Sequence, residues 1–290
     1  MRITWIALAV LCAAITSARA QIQVDLKFAR LQYIAYEPVI ATIGITNLAG
    51  RDIELRDADG ETWFGFEVTG SETQQIAPVR SMGQPPLRIE AGKRVTQKIN
   101  LTPLFPVHDY GAYHVRAHVY FPDLQKYFYS QAKVFEVTDA RPIWQQTVGV
   151  PDGTGPGGVR TYSLLSNRFP DHTSLYVRVQ DKDNGIVFAT YSLGRMIIFD
   201  DPKVEIDATN QLHVLHTSAP RTWSYSVIGL NGELVSHTNY METKSRPHLV
   251  HAANGEVAVR GGMPEMPAAA QGPAGTNSQL PKLSERPESD

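Results

Sequence analysis

The 290-residue chain has one cysteine, Cys12. It lies in an amino-terminal stretch that reads as a secretory signal, so the exported chain is expected to carry no thiol and no disulfide. That excludes thiol catalysis, c-type haem attachment and cysteine-ligated metal centres. The fold must then be held by burial alone, which a mature length of about 270 residues allows. Charge of one sign is missing too: 27 Lys and Arg stand against 29 Asp and Glu. No basic stripe appears, so nucleic acid is not an expected partner. Beyond residue 20 no apolar run approaches the ~20 residues that a membrane-spanning helix needs. Amphipathic helical periodicity is nearly absent as well.

What is present begins with that leader. Arg2 supplies a positive start, residues 6–15 a short apolar run, and Ala18-Arg19-Ala20 a small-x-small site before Gln21. Cleavage after Ala20 and a secreted or periplasmic protein are the expectation. Leu11 stands where a lipoprotein signal wants a small residue, so Cys12 reads as an ordinary member of the apolar run.

Period-two alternation runs through 22–28, 39–46, 62–69, 95–101, 112–121 and 126–137, with turn residues between. The clearest turns are Asp57-Ala-Asp-Gly60 and Glu90-Ala-Gly92. The expected class is all-β, with a first domain over 21–140 and a linker over 141–158 centred on Asp152-Gly-Thr-Gly-Pro-Gly-Gly158. A second β-repeat domain is expected over 159–262. Residues 263–290 collapse to Pro, Ala, Gly, Ser and charge and are expected to be a disordered tail.

Within the first domain, Asp109-Tyr-Gly111-Ala-Tyr113-His-Val115-Arg-Ala117 has the pattern Asp-x-Gly-x-Tyr-x-(apolar)-x-Ala. It resembles the tyrosine corner of immunoglobulin-like sandwiches. The resemblance implies that the Tyr113 hydroxyl returns to the upstream backbone and that Val115 stands where a disulfide-bonded domain carries cysteine. Residues 37–46 resemble the second strand of bacterial modules of that kind, and 126–137 would be the closing strand. Such sandwiches host many functions, so the fold does not name one.

The second segment compares with itself. Residues 202–216 align without gaps on 247–261 at an offset of 45, and 175–179 on 212–216 at an offset of 37. Asn231-Gly232 marks a further hairpin. The spacing resembles β-propeller blades, of which this length supplies about two and a half, fewer than closure needs. An open meander packed on the first domain is the favoured arrangement.

Chemistry is sparse. Trp63 and the run Tyr127-Phe128-Tyr129 are the candidate binding residues, because neighbouring aromatics on a strand cannot all face one core. The plainer reading is the ordinary strand preference for aromatics. His213, His237 and His251 are weak candidates for a metal, but His213 and His216, three apart on a strand, fall on opposite faces. Asp181-Lys-Asp-Asn-Gly185 lacks the distal glutamate of a calcium loop and reads as a turn. No Gly-x-Ser-x-Gly elbow or Ser-x-x-Lys is present, and no cofactor motif. The expectation is a non-catalytic binding or scaffold protein for another envelope protein or a surface polymer. The alternatives are a hydrolase with a spatially assembled His and carboxylate site, and an inhibitor or chaperone that offers an edge strand.

Overall fold

The computed structural model describes residues 21–71, 74–150 and 158–265. The leader and Cys12, the glycine-rich stretch 151–157 and the tail from 266 lie outside the described residues. The protein is all-β, built of several sheets that are antiparallel apart from one pairing. Among the described residues no helix is long and apolar enough to cross a membrane.

The amino-terminal half comprises β1 (Ile22–Phe28), β2 (Gln32–Ile34), β3 (Ile40–Asn47), β4 (Ile53–Leu55), β5 (Phe64–Thr69) and β6 (Gln75–Ile76). It continues with β7 (Leu87–Ile89), β8 (Arg94–Asn100), β9 (Gly111–Phe121), β10 (Lys126–Tyr129) and β11 (Lys133–Thr138). One sheet runs β1-β3-β8; the other runs β2-β11-β9-β5-β6, with β10 also on β9. The alternation decides the rest. Val24 and Leu26 of β1, Ile43 and Ile45 of β3, and Val115, Ala117 and Val119 of β9 all enter one buried cluster between the two sheets. Burying an apolar side chain of this size contributes about 1.5–3 kcal/mol.

Tyr113 sits at the corner before β9 straightens. Its hydroxyl donates to the Asp109 carbonyl at 2.9 Å, and its ring stacks on Phe135 at 5.3 Å. Val115 is fully buried in the same core. The single closing strand expected over 126–137 is instead two. β10 pairs with residues 118–121 of β9 and β11 with residues 111–115. Ser130 makes the break: its N–H donates to the Ala117 carbonyl while its hydroxyl accepts the Ala117 N–H. A side chain therefore replaces one carbonyl of the ladder, and the strand changes course.

The carboxyl-terminal half has β12 (Arg141–Gly149), β13 (Val159–Arg168), β14 (Thr173–Asp181), β15 (Val187–Met196), β16 (Lys203–Ile206) and β17 (Leu212–Ala219). After them come β18 (Thr222–Ile228), β19 (Leu234–Met241), β20 (His248–His251), β21 (Val257–Arg260) and β22 (Met263–Pro264). β12 to β15 form one up-and-down sheet, β16 to β19 a second, and β20–β21 a hairpin. The two meanders bury Leu164, Val177, Leu212, Val214 and Ile228 in a common core.

Two expected boundaries move. The stretch 141–149, expected as linker, is strand β12. Pro142 and a bulge between Pro142 and Trp144 hid its alternation. The expected tail start, 263–265, is paired: Gly261 and Gly262, both at positive φ, turn the chain so that Met263 lies beside Met241.

The offset of 45 marks equivalent hairpins, since β16 and β17 map onto β20 and β21. The offset of 37 does not, because it sets β14, third in its sheet, on β17, second in its own. One turn recurs three times in this half, at 207–211, 229–233 and 252–256. In each, the first N–H donates to the fifth carbonyl (3.1, 2.9 and 2.8 Å) and the fourth N–H to the first carbonyl at 3.0 Å. The fourth residue is left-handed: Asn210 at φ 62°, Gly232 at 83° and Gly255 at 82°. This is a type I turn with a left-handed bulge residue, one of the common hairpin closures.

Candidate functional site

Period two on β9 puts His114, Arg116, His118 and Tyr120 on the face opposite the core, where His114 and Arg116 are exposed, His118 is half-buried and Tyr120 is covered to 5% exposure. Their neighbours in register complete an outer face. Glu67 lies opposite Arg116, Gly65 and Tyr129 flank His118, and Tyr127 lies opposite Tyr120. The rings touch: His118 to Tyr127 at 5.3 Å, Tyr120 to Tyr127 at 5.0 Å, and Tyr127 to Tyr129 at 6.1 Å. The Arg116 guanidinium lies 4.6 Å over the Tyr129 ring and 3.7 Å from Glu67.

Two acidic residues fix the tyrosines. The Asp59-Gly60 pair, both at positive φ, closes a tight hairpin turn between Ala58 and Glu61. From that turn Asp59 accepts the Tyr120 hydroxyl at 3.2 Å and Glu61 the Tyr127 hydroxyl at 2.5 Å. Burial first, then Glu61, pushes the Tyr127 hydroxyl above its ordinary pKa. Burial lowers the pKa of His118, against the opposing pull of Glu67 and Glu61, and so disfavours the charged ring. Gly65 makes room for that ring, since a Cβ there would overlap the imidazole.

Of the four residues expected to bind, the structure brings Tyr127 and Tyr129 to this ledge. Tyr129 is 42% exposed. Phe128 is the correction within the run: it lies opposite Val119 and packs against the core. Trp63 is the second correction. It is 1% exposed, and its indole N–H donates to the Gln84 carbonyl at 3.1 Å. It precedes β5 in a bend, so the alternation argument did not apply to it. His118 and Arg116 were missed. Their outward spacing on one strand was legible, but not their convergence on Tyr129.

The histidines do not converge. His213 bridges Asp207 (3.1 Å) and the Tyr225 hydroxyl (2.7 Å), while His237 meets Ser226 at 3.0 Å on the other face of that sheet. His251 pairs with Glu205 at 2.9 Å. Burial opposes ionisation of Asp207, but hydrogen bonds from Gln211, His213 and Thr209 hold it below the usual range. Among the described residues no group of three or more His, Cys, Asp or Glu is placed to hold a metal ion. The 181–185 turn spends the Asp181 carboxylate on Arg160 (2.8 Å) and on the N–H groups of Asp183 and Asn184.

A second concave feature lies where the halves meet. Arg30 ion-pairs with buried Glu37 and donates to the Tyr176 hydroxyl at 3.0 Å. Glu37 also accepts the Ile34 N–H, and Arg178 donates to the Ala35 carbonyl at 2.7 Å. Ile34, Ala140, Leu165 and Tyr176 form a small core beneath. Above it opens a groove of about 840 Å³, walled by Arg30, Leu31, Glu136, Phe169, His172 and Arg195. That volume falls in the range of ligand sites, which favour such boundaries.

No protein-family model matches the chain, and no curated protein matches it. Among solved structures, Spo0M, a sporulation control protein from Bacillus subtilis, aligns with 60% of this chain and 91% of its own. The identity is 9% and the TM-score 0.29, too low to carry an argument.

Proposed function

We propose that the chain is an exported, non-catalytic binding protein that grips another exported protein or a surface polymer through the ledge of Tyr127, Tyr129, His118 and Arg116. The observation that carries this reading is the pinning of the rings. Tyr127 and Tyr120 are tied to Glu61 and Asp59, and Tyr129 lies under Arg116. An exposed aromatic surface held before the ligand arrives loses little conformational entropy on binding. In this reading the amino-terminal half is an immunoglobulin-like sandwich, supported by the Tyr113 to Asp109 bond. The carboxyl-terminal half is an open, propeller-like repeat, supported by its successive four-strand meanders. The test is retention of the exported chain on an isolated cell-envelope fraction. Tyr127→Ala with Tyr129→Ala is expected to abolish retention while leaving the circular-dichroism spectrum unchanged. Undiminished retention by a folded double variant overturns the reading.

A further inference from the structure

We infer that β12 is a pairing edge for a second copy of this chain, joining the β12–β15 sheets of two molecules across a two-fold axis at Gln146. β12 ends its sheet and is hydrogen-bonded to β13 alone. Val150 donates to the Gly158 carbonyl, and the register on β13 is continuous from Gly149 back to Trp144. Antiparallel ladders alternate, so Trp144, Gln146 and Val148 bond to β13, while Gln145, Thr147 and Gly149 turn their main-chain groups outward. The Asn210 amide takes the Gly149 carbonyl at 2.9 Å, so the free run of the edge is Gln145 and Thr147. Gln145, Gln146 and Thr147 are exposed. Sheet edges are normally blunted by charge, proline, bulges or shortness. β1 carries Asp25 and Lys27, β8 carries Arg94 and Lys98, and the ladder of β15 has two register shifts. β12 is blunted at one end only, where Arg141, Pro142 and a bulge precede Trp144. From Trp144 to Gly149 it has no charge, no proline and no bulge.

The free groups choose both the occupant and the register. A two-fold axis through the sheet makes the joined strands antiparallel. Centred on Gln146, it sets Gln145 against Thr147 of the second copy and Thr147 against Gln145 of the second copy, so the outward groups of one edge meet those of the other. Centred on Thr147, it would pair Gln145 with Gly149, whose carbonyl Asn210 already holds. Centred on Gln145, it would pair Thr147 with Ile143, which lies in the bulge. The register at Gln146 also matches the side chains. Trp144 lies opposite Val148 of the second copy, on the face where both residues already pack against the core of the two meanders. A ring facing a β-branched side chain is a favourable cross-strand pair. Gln146 meets its own copy amide to amide, and no charge meets a like charge along the paired residues. The strand is therefore complementary to itself in main-chain bonding, apolar contact and charge, which is what an isologous contact requires.

Sedimentation velocity of the exported chain over a concentration series tests this, and a monomer–dimer equilibrium is expected. Thr147→Pro removes an N–H that the β12–β13 ladder does not use, so the variant is expected to keep its circular-dichroism spectrum and to lose the dimer. Gln146→Lys and Gln146→Glu each set like charges face to face and are expected to weaken self-association by about fivefold or more. An equimolar mixture of these two variants is expected to recover it, because the opposite charges then meet. A chain that stays monomeric at the highest concentration overturns the inference, and so does a dimer that survives Thr147→Pro. A dimer that is lost with Thr147→Pro but ignores both Gln146 variants overturns the register centred on Gln146.

Discussion

The two halves bury different things. In the amino-terminal half, the buried polar or charged residues among those described are Glu37, Asn47 and Ser130. In the carboxyl-terminal half there are thirteen, among them Arg160, Asp181, His213, His216, Ser224 and Ser226. The first half has one core between two sheets, with Phe28, Tyr33 and Tyr113 packed around Phe135 at 5.1–5.7 Å. The second half stacks its sheets, so faces that would meet water in a lone sheet are covered. Their polar groups must then be satisfied internally, as by Arg160 with Asp181 (2.8 Å) or Thr217 with Asp200 (2.8 Å). One half therefore depends chiefly on ring packing around a core without titrating groups, its buried Glu37 lying outside that ring cluster. The other depends on hydrogen bonds whose donors and acceptors titrate.

The sharpest way to break this contrast is Phe135→Ala. It should cost about 3–5 kcal/mol, equally at pH 7 and pH 5, in urea unfolding. A strong pH dependence of that cost would mean that the first core contains a titrating group. Next in size is the acid response of His216. Burial lowers its folded pKa to about 4, against an ordinary value of 6.5. The unfolded chain therefore takes up the proton first. Stability is complete above about pH 6.5 and is lost as pH falls toward 4, by roughly 3 kcal/mol in all. His216→Gln should remove that slope, and an unchanged slope would assign it elsewhere.

Tyr113→Phe removes only a hydrogen bond and should cost about 1 kcal/mol, read as a lower urea midpoint with an unchanged transition slope. The smallest effect compares two copies of one turn. Asn210→Gly should change stability by less than about 0.5 kcal/mol, because relief of the left-handed backbone is offset by loss of the Asn210 amide bond to the Gly149 carbonyl at 2.9 Å. Gly255→Ala should destabilise, since its Cβ would stand 2.8 Å from that of Ala208. Equal effects at the two sites would mean that the hairpins do not touch as described.

Much of this was legible in the residues. The resemblance of 109–117 to a tyrosine corner implied the places of Tyr113 and Val115, and the offset of 45 found two equivalent hairpins. The site was only half legible. Tyr127 and Tyr129 could be assigned to a common face, but Trp63 was set on the outer face by extending the alternation of Phe64 and Phe66 into a residue that lies in a bend. Burial of Trp63 depends on a loop that brings Gln84 over it, twenty-one residues away. Strand β12 was obscured because Pro142 and its bulge break the period that betrays a strand.

By itself, then, the sequence determined the class of structure, the inward and outward faces of its longer strands, and a recurring turn, because each is decided within a few residues of backbone. Tertiary structure alone decided that Asp59 and Glu61 would pin Tyr120 and Tyr127, and that the chain at 30–37 would meet the strand carrying Tyr176. Those contacts join residues 61 to 146 positions apart, and no local pattern encodes them. They follow from which sheet covers which, and that is settled only when both cores close.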